Sequence, residues 1–110
     1  MKVLIRFSVG TSPGKRYGYA PRTVSIQELQ QRYLEIVRKE YEGGSAYLVN
    51  GAWTDNGKVI EEISVIVETL VNEPKDSIGP HSRMVAKRLA AIGKQDNVFV
   101  SVLEADYTLV

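Results

Sequence analysis

A chain of 110 residues with 44% hydrophobic and 25% charged side chains has the average make-up of one soluble globular domain, so composition points to neither disorder nor a membrane location. Lys plus Arg number 14 against 13 Asp plus Glu, so the net charge of +1 provides no overall field to draw nucleic acid or anionic lipid. Cysteine is absent, which removes disulfides, thiolate zinc sites and thiol nucleophiles together.

The first element is a strand. Val3, Ile5, Phe7 and Val9 alternate with Lys2, Leu4, Arg6 and Ser8, the period of two that buries one face. Arg6 breaks the apolar run and no small-residue cleavage site follows, so this is not a secretory signal, and no run reaches the ~20 apolar residues of a membrane helix. A cytoplasmic location is expected. Gly10 to Thr23 has no sustained period and reads as a long loop or loose hairpin carrying Lys15, Arg16, Tyr17, Tyr19 and Arg22.

Ser25-Ile26-Gln27-Glu28 has the spacing of a capping box and predicts a helix start. Ile26, Leu29, Tyr33, Ile36 and Val37 make its apolar stripe, Glu28 with Arg32 and Glu35 with Lys39 form i,i+4 pairs, and Gly43-Gly44 is expected to end it. Tyr47 to Thr54 and Val59 to about Val71 are strands joined by Asn56-Gly57, a dipeptide that accepts the positive φ of a tight hairpin turn. Asn72 to Pro80 is rich in turn residues. A second helix is expected from His81 to about Ile92, with Ser82 or Asp76-Ser77 as start signals and Gly93 as its stop. Asn97 to Glu104 is the last strand.

The order strand, helix, strand, strand, helix, strand predicts one domain over residues 1–110 with a ferredoxin-like α+β fold, a four-stranded antiparallel sheet with both helices on one face. Right-handed crossovers put the first and third strands at its centre. The other face then displays Leu4, Ile66, Leu70, Phe99 and Leu103, interrupted by Arg6 and Glu68. So apolar a face predicts a homo-oligomer, dimer or trimer, with those five residues at the interface. The plainer reading is an amphipathic face that stays bare or is covered by the tail from Ala105 to Val110.

Motifs for chemistry fail on spacing. Gly10-Thr11-Ser12-Pro13-Gly14-Lys15-Arg16 is short of a Walker A loop by one residue between the glycines, and Arg16 stands where Ser or Thr is needed. A looser anion site at Lys15, Arg16 and Arg22 remains open, beside the plainer reading of a mobile basic loop. Adding Tyr17 and Tyr19 gives the mixture used by single-stranded nucleic acid binders, which a neutral chain disfavours. Glu61 and Glu62 point to opposite faces of a strand, and Glu62 and Glu68 stand about 20 Å apart along it, so neither pair makes an acid–base site. His81 has no second histidine or any cysteine to share a metal with and reads as a helix-terminal surface residue, while Ser82 lacks a base and an orienter. No metal or cofactor is expected. Trp53 is a packing residue for the hairpin or a neighbouring subunit and a ligand-stacking candidate.

Phe7-Ser8-Val9-Gly10, Gly51-Ala52-Trp53 with Gly57 and Glu62-Ile63-Ser64-Val65, and Gln95-Asp96-Asn97-Val98 together resemble an uncharacterised bacterial family of small domains of unknown function. Members often follow an export signal, which does not carry over, and the family has no catalytic residues to transfer. Trp53, Gly57-Lys58-Val59, Glu62 and Val65 to Thr69 are also similar to the hairpin of CutA, a trimeric βαββαβ protein related in shape to the nitrogen-regulatory signal transducers. Nothing like the CutA histidine segment appears around Lys94 to Asn97, so its metal binding does not carry over, whereas an oligomeric build is implied.

The leading functional expectation is therefore a non-enzymatic, self-associating binding protein that presents the Gly10 to Thr23 loop. Ligand-contact candidates are Arg6, Lys15, Arg16, Tyr17, Tyr19, Arg22 and Trp53, with a small anion as one candidate ligand. Two alternatives stand beside it. One is an enzyme of the dimeric α+β barrel type with Arg6, Tyr33 or Trp53 lining a cavity. The other is an anion or nucleotide sensor built on Lys15, Arg16 and Arg22.

Overall fold

The computed structural model describes residues 1–108 and 110, with the side chains of Trp53 and Asp55 outside the description. Its elements are β1 (Lys2–Gly10), a 3-10 turn (Lys15–Tyr17), α1 (Ile26–Tyr41), β2 (Ser45–Asp55), β3 (Lys58–Asn72), α2 (Lys75–Gly93) and β4 (Phe99–Glu104). All strand pairs are antiparallel and the sheet order is β2-β3-β1-β4. This is the ferredoxin-like arrangement, with β1 and β3 at the centre.

The core follows from strand parity. Val3, Ile5, Phe7 and Val9 are fully buried, and in register with them across the central pair stand Val71, Thr69, Val67 and Val65. Against these pack Leu29, Tyr33, Val37 and Tyr41 of α1 and Ile78, Val85 and Leu89 of α2. Each of these large aliphatic or aromatic side chains removed from water stabilises by roughly 1.5–3 kcal/mol, before the entropy of ordering is set against it. Thr69 is the polar member of this layer, and its hydroxyl donates to Gly43 O at 2.9 Å, fixing the α1–β2 connection.

α1 starts where expected: Ser25 Oγ accepts from Glu28 N at 3.1 Å. The other half of the box is absent, because the Glu28 carboxylate accepts instead from Arg32 at 2.8 Å. Both helix ends differ from the glycine expectation. The left-handed residue after α1 is Glu42 (φ 66), one before Gly43, and after α2 it is Lys94 (φ 52), one beyond Gly93. Gly93 stays inside the helix for another reason, since a Cβ there would collide with the Tyr33 hydroxyl.

α2 begins six residues before His81 and carries Pro80 within it. A proline interior to a helix loses one backbone hydrogen bond and costs about 3 kcal/mol, which is why the sequence pattern favours a later start. Packing reverses that preference. Ile78, in the first turn, is buried in the core, and Ser77 ties the turn down by donating its N–H and hydroxyl to Pro74 O at 3.0 and 2.9 Å. Ser82 is no cap but a buried mid-helix residue donating to Gly79 O.

The β2–β3 hairpin outruns the rest of the sheet. β1 stops pairing at Gly10↔Ser64, so the rungs from Asn50↔Ile63 to Asp55↔Lys58 form a two-stranded arm, closed by Asn56 (φ 50) and Gly57 (φ 76). The arm lengthens the molecule to 43 Å against 28 and 25 Å in the other directions.

Candidate functional site

Parity also decides what the outer face of the sheet carries. Arg6 pairs with Glu68 across β1 and β3, and Tyr47 enters from β2 opposite Ile66, so a cation, a carboxylate and a phenol project from neighbouring positions. Arg6 Nε donates to Glu68 Oε1 at 2.7 Å and Tyr47 Oη donates to the same oxygen at 2.6 Å. The Glu68 side chain is 23% exposed and that of Arg6 42%. The Tyr47 hydroxyl, and after it Arg6, hold the Glu68 carboxyl below the usual carboxylate range, while the same bond raises Tyr47. Glu68 is therefore ionised at neutral pH. Both donors converge on Oε1, which leaves Oε2 for the donors of a ligand.

Around this trio lie the five residues expected at an interface. Leu4 faces Leu70 on one side and Leu103 on the other, and Ser8 lies between Ile66 and Phe99. Phe99 is 77% exposed, and Leu70 and Leu103 are about half exposed. Ile66 departs from the expectation, being buried at 8% exposure, and Leu4 is half-buried, whereas the described tail leaves the other three open: Ala105 N–H donates to Lys2 O, and Tyr107 returns to Lys2, whose ammonium lies 5.1 Å from its ring.

The expected ligand residues divide among different places. Arg6 stands in the outer-face trio. Tyr33 lies on the opposite side, buried between α1 and the sheet, with its hydroxyl donating to Gly10 O at 3.1 Å and burial raising its pKa. The structure does not bring the two together. Arg16 and Tyr17 line a groove between α2 and β4, Arg22 lines a small cleft beside Thr11 and Ile92, and Tyr19 is 69% exposed. Lys15 contributes its backbone: Lys15 N and Arg16 N donate to the two Asp96 carboxylate oxygens at 2.8 and 2.9 Å. Trp53 sits on the hairpin arm with its side chain outside the described residues.

The loop that carries these residues is anchored. The Glu62 carboxylate accepts from Thr11 N and Ser12 N at 2.9 and 3.0 Å, and Gln95 Nε2 donates to Ser12 O and Gly93 O. His81 is no free surface side chain. Its Nδ1 lies 2.8 Å from Glu73 and its Nε2 3.1 Å from Glu40, with the Tyr41 ring 4.5 Å away. Among the described residues no group of three or more His, Cys, Asp or Glu is arranged to hold a metal ion, and no helix is long and apolar enough to cross a membrane.

Solved structures of other proteins share this sheet and helix arrangement. A phage SAM lyase in complex with S-methyl-5'-thioadenosine superposes with a TM-score of 0.71 at 20% identity, over 94% of this chain and 81% of that one. The chain shares its fold. A phage SAM lyase in the apo state gives 0.66 at 18% identity, covering 97% of this chain and 92% of that one. The divalent cation tolerance protein CutA1 of Thermus thermophilus gives 0.56 at 9% identity, covering 99% and 88%. The CutA-like hairpin in the sequence thus reflects a real likeness of fold. No family model matches the chain, and no curated protein matches it in sequence.

Of the trio, sequence reasoning named Arg6 as a ligand residue, placed Glu68 on this face without a role, and missed Tyr47. The signal for Tyr47 was position: on a strand paired with β3, a tyrosine opposite Ile66 is a diagonal neighbour of Glu68 and within reach of its carboxylate.

Proposed function

We propose that the chain works as a homo-oligomer whose outer sheet face is covered by a second copy, and that the covered face binds a small adenosine-bearing sulfur compound at Glu68. The observation that carries this reading is the Arg6–Glu68–Tyr47 trio standing in the sheet face that exposes Leu70, Phe99 and Leu103. Leucines and a phenylalanine exposed together favour association. A charged trio among them is a poor adhesive, since covering it removes water from ions that a hydrophobic substitute would not contain. Its presence there is better accounted for as a ligand handle.

The ligand class is suggested by the neighbour that holds S-methyl-5'-thioadenosine and is named a SAM lyase. Glu68 Oε2 suits the hydroxyl donors of a ribose, and the ionised carboxylate suits a sulfonium. A carboxylate that stabilises a sulfonium loses that interaction as the carbon–sulfur bond breaks and the charge disappears, so it favours retention of the ligand over turnover. Binding is accordingly the first reading and a lyase activity the second.

Calorimetry with S-adenosylmethionine and S-methyl-5'-thioadenosine, run beside light scattering, tests both parts. Saturable binding that falls at least about tenfold in Glu68→Ala is expected, with a mass above that of one chain. Absence of heat with both compounds rejects the ligand. A monomer at high concentration rejects the assembly. Conversion of S-adenosylmethionine during the titration, lost in Glu68→Ala, would establish the second reading over the first.

A further inference from the structure

We infer that the groove between α2 and β4 is a separate binding site for a small phosphate-bearing molecule. It lies on the helix side of the sheet, away from Glu68, has a volume of about 480 Å³ and is lined on its exposed side by Arg16, Tyr17, Arg83 and Lys87. That volume is within the ~300–1,000 Å³ of small-molecule sites.

Three features give the groove its chemistry. The first is unbalanced charge. Arg6, Arg32, Arg38 and Arg88 each meet a carboxylate, whereas none of Arg16, Arg83 and Lys87 has an ion pair among the described residues. Arg83 Nε has only a long contact of 3.4 Å to Gly79 O. Asp96 also borders the groove, but both its oxygens accept backbone N–H groups of the 3-10 turn. In a chain of net charge +1, three cations here against that one engaged carboxylate are a marked local excess.

The second feature is that Arg83 and Lys87 are i,i+4 neighbours on α2. Like charges at that spacing destabilise an isolated helix. An anion bridging them reverses the sign of the interaction, and guanidinium groups match the geometry of phosphate oxygens.

The third is preorganisation. Asp96 pins the 3-10 turn over the groove, Gly14 N donates to Lys94 O at 2.9 Å, and Asp96 Oδ2 lies 2.5 Å from where a Gly14 Cβ would stand, so only glycine permits this seating. Arg16 and Tyr17 are thereby held over the groove by a fixed backbone. Beneath them, Ala86 and Ala90 of α2 with Val98 and Val100 form an apolar floor. The combination suits a molecule with a phosphate at the cationic rim and an aromatic or apolar body beneath.

Adenosine 5'-diphosphate, inorganic pyrophosphate, adenosine and citrate, each titrated against the full chain at low ionic strength with amide shifts followed by NMR, test the assignment. Expected are saturable shifts in residues 83–98 with the diphosphate, weaker ones with pyrophosphate, and none with adenosine. In Arg83→Glu/Lys87→Glu the diphosphate affinity falls at least about tenfold, while the light-scattering mass and the response to S-methyl-5'-thioadenosine stay as in the parent. Arg16→Gln, which leaves both helices untouched, gives a smaller loss in the same direction and serves if the double variant does not fold. Failure of both phosphate compounds to bind overturns the site. So does an affinity unmoved by these variants, and citrate binding as tightly as the diphosphate overturns the phosphate assignment.

Discussion

Glu42, Gly93 and His81 show how single positions take their meaning from neighbours and backbone angles that residue type alone does not reveal. Glu42 holds a left-handed conformation that suits glycine better, so Glu42→Gly should stabilise the fold by about 1 kcal/mol. Gly93 has the opposite sign. Helix propensity alone predicts that Gly93→Ala gains about 1 kcal/mol, but the new methyl would meet the Tyr33 hydroxyl, and overpacking of this kind costs roughly 1–3 kcal/mol. Denaturant melts of both variants check the pair: a raised midpoint in the first and a lowered one in the second are expected.

His81 has a carboxylate at each ring nitrogen, and a neutral imidazole has a proton for only one of them. Burial pulls its pKa down, yet the bonds to Glu40 and Glu73 outweigh that and the net shift is upward, while His81 and Arg88 draw Glu40 below its usual value. A raised histidine contributes stability that is complete below its unfolded value, about 6.5, and is lost as pH rises through the folded one. Glu40 contributes stability above its unfolded value, about 4.3, that is lost as pH falls. The clamp between α1, the β3–α2 turn and α2 is thus complete between those limits. Thermal melts should show stability declining as pH rises above about 6.5, with His81→Ala lowering the maximum by on the order of 1 kcal/mol and flattening the decline. A profile identical in the variant would remove His81 from this role.

Among the elements, the β2–β3 arm is the least supported. Two strands alone are marginally stable in water, and Val59, Ile60 and Ile63 on this arm are exposed at 69%, 36% and 36%. Its turn chemistry, Asn56-Gly57, was legible because positive φ at both positions admits few residues. What the arm packs against was not. If a second copy supplies that surface, amides of residues 50–63 should exchange at least about tenfold faster after dilution to monomer, while those of β1 keep their protection. Slow exchange of the arm in the monomer would show that it needs no partner. α2 carries a related lesson. Pro80 argues for a late start by local rules, and the burial of Ile78 with the Ser77 bonds draws the helix back to Lys75.

For the molecule as a whole, the uncovered sheet face governs the predicted behaviour. Leu70 and Phe99 lie at opposite corners of it and neither supports the fold from within. Leu70→Lys and Phe99→Asp should therefore leave the stability of the isolated chain, read from thermal melts, within about 0.5 kcal/mol of the parent's while lowering the mass measured by light scattering. Loss of fold in both would mean that the face is structural.

Alternation along Val3 to Val9 and Ser64 to Val71, the Ser25 cap and the hairpin dipeptide were enough to establish the succession of elements and to sort residues onto two faces, because parity and turn angles are local properties, and the handedness of crossovers then set the strand order. The expected ligand loop could be found but not interpreted: Arg16 and Tyr17 face one groove and Arg22, close by in the chain, faces another cleft once Asp96 and Glu62 have seated the backbone. Tyr47 with Glu68, Asp96 with the loop, and His81 with Glu40 meet across separations that no periodicity encodes. Those encounters arise from the register of β2 on β3 and from the packing of α1 and α2 on the sheet, where long-range contacts assign each side chain its partner.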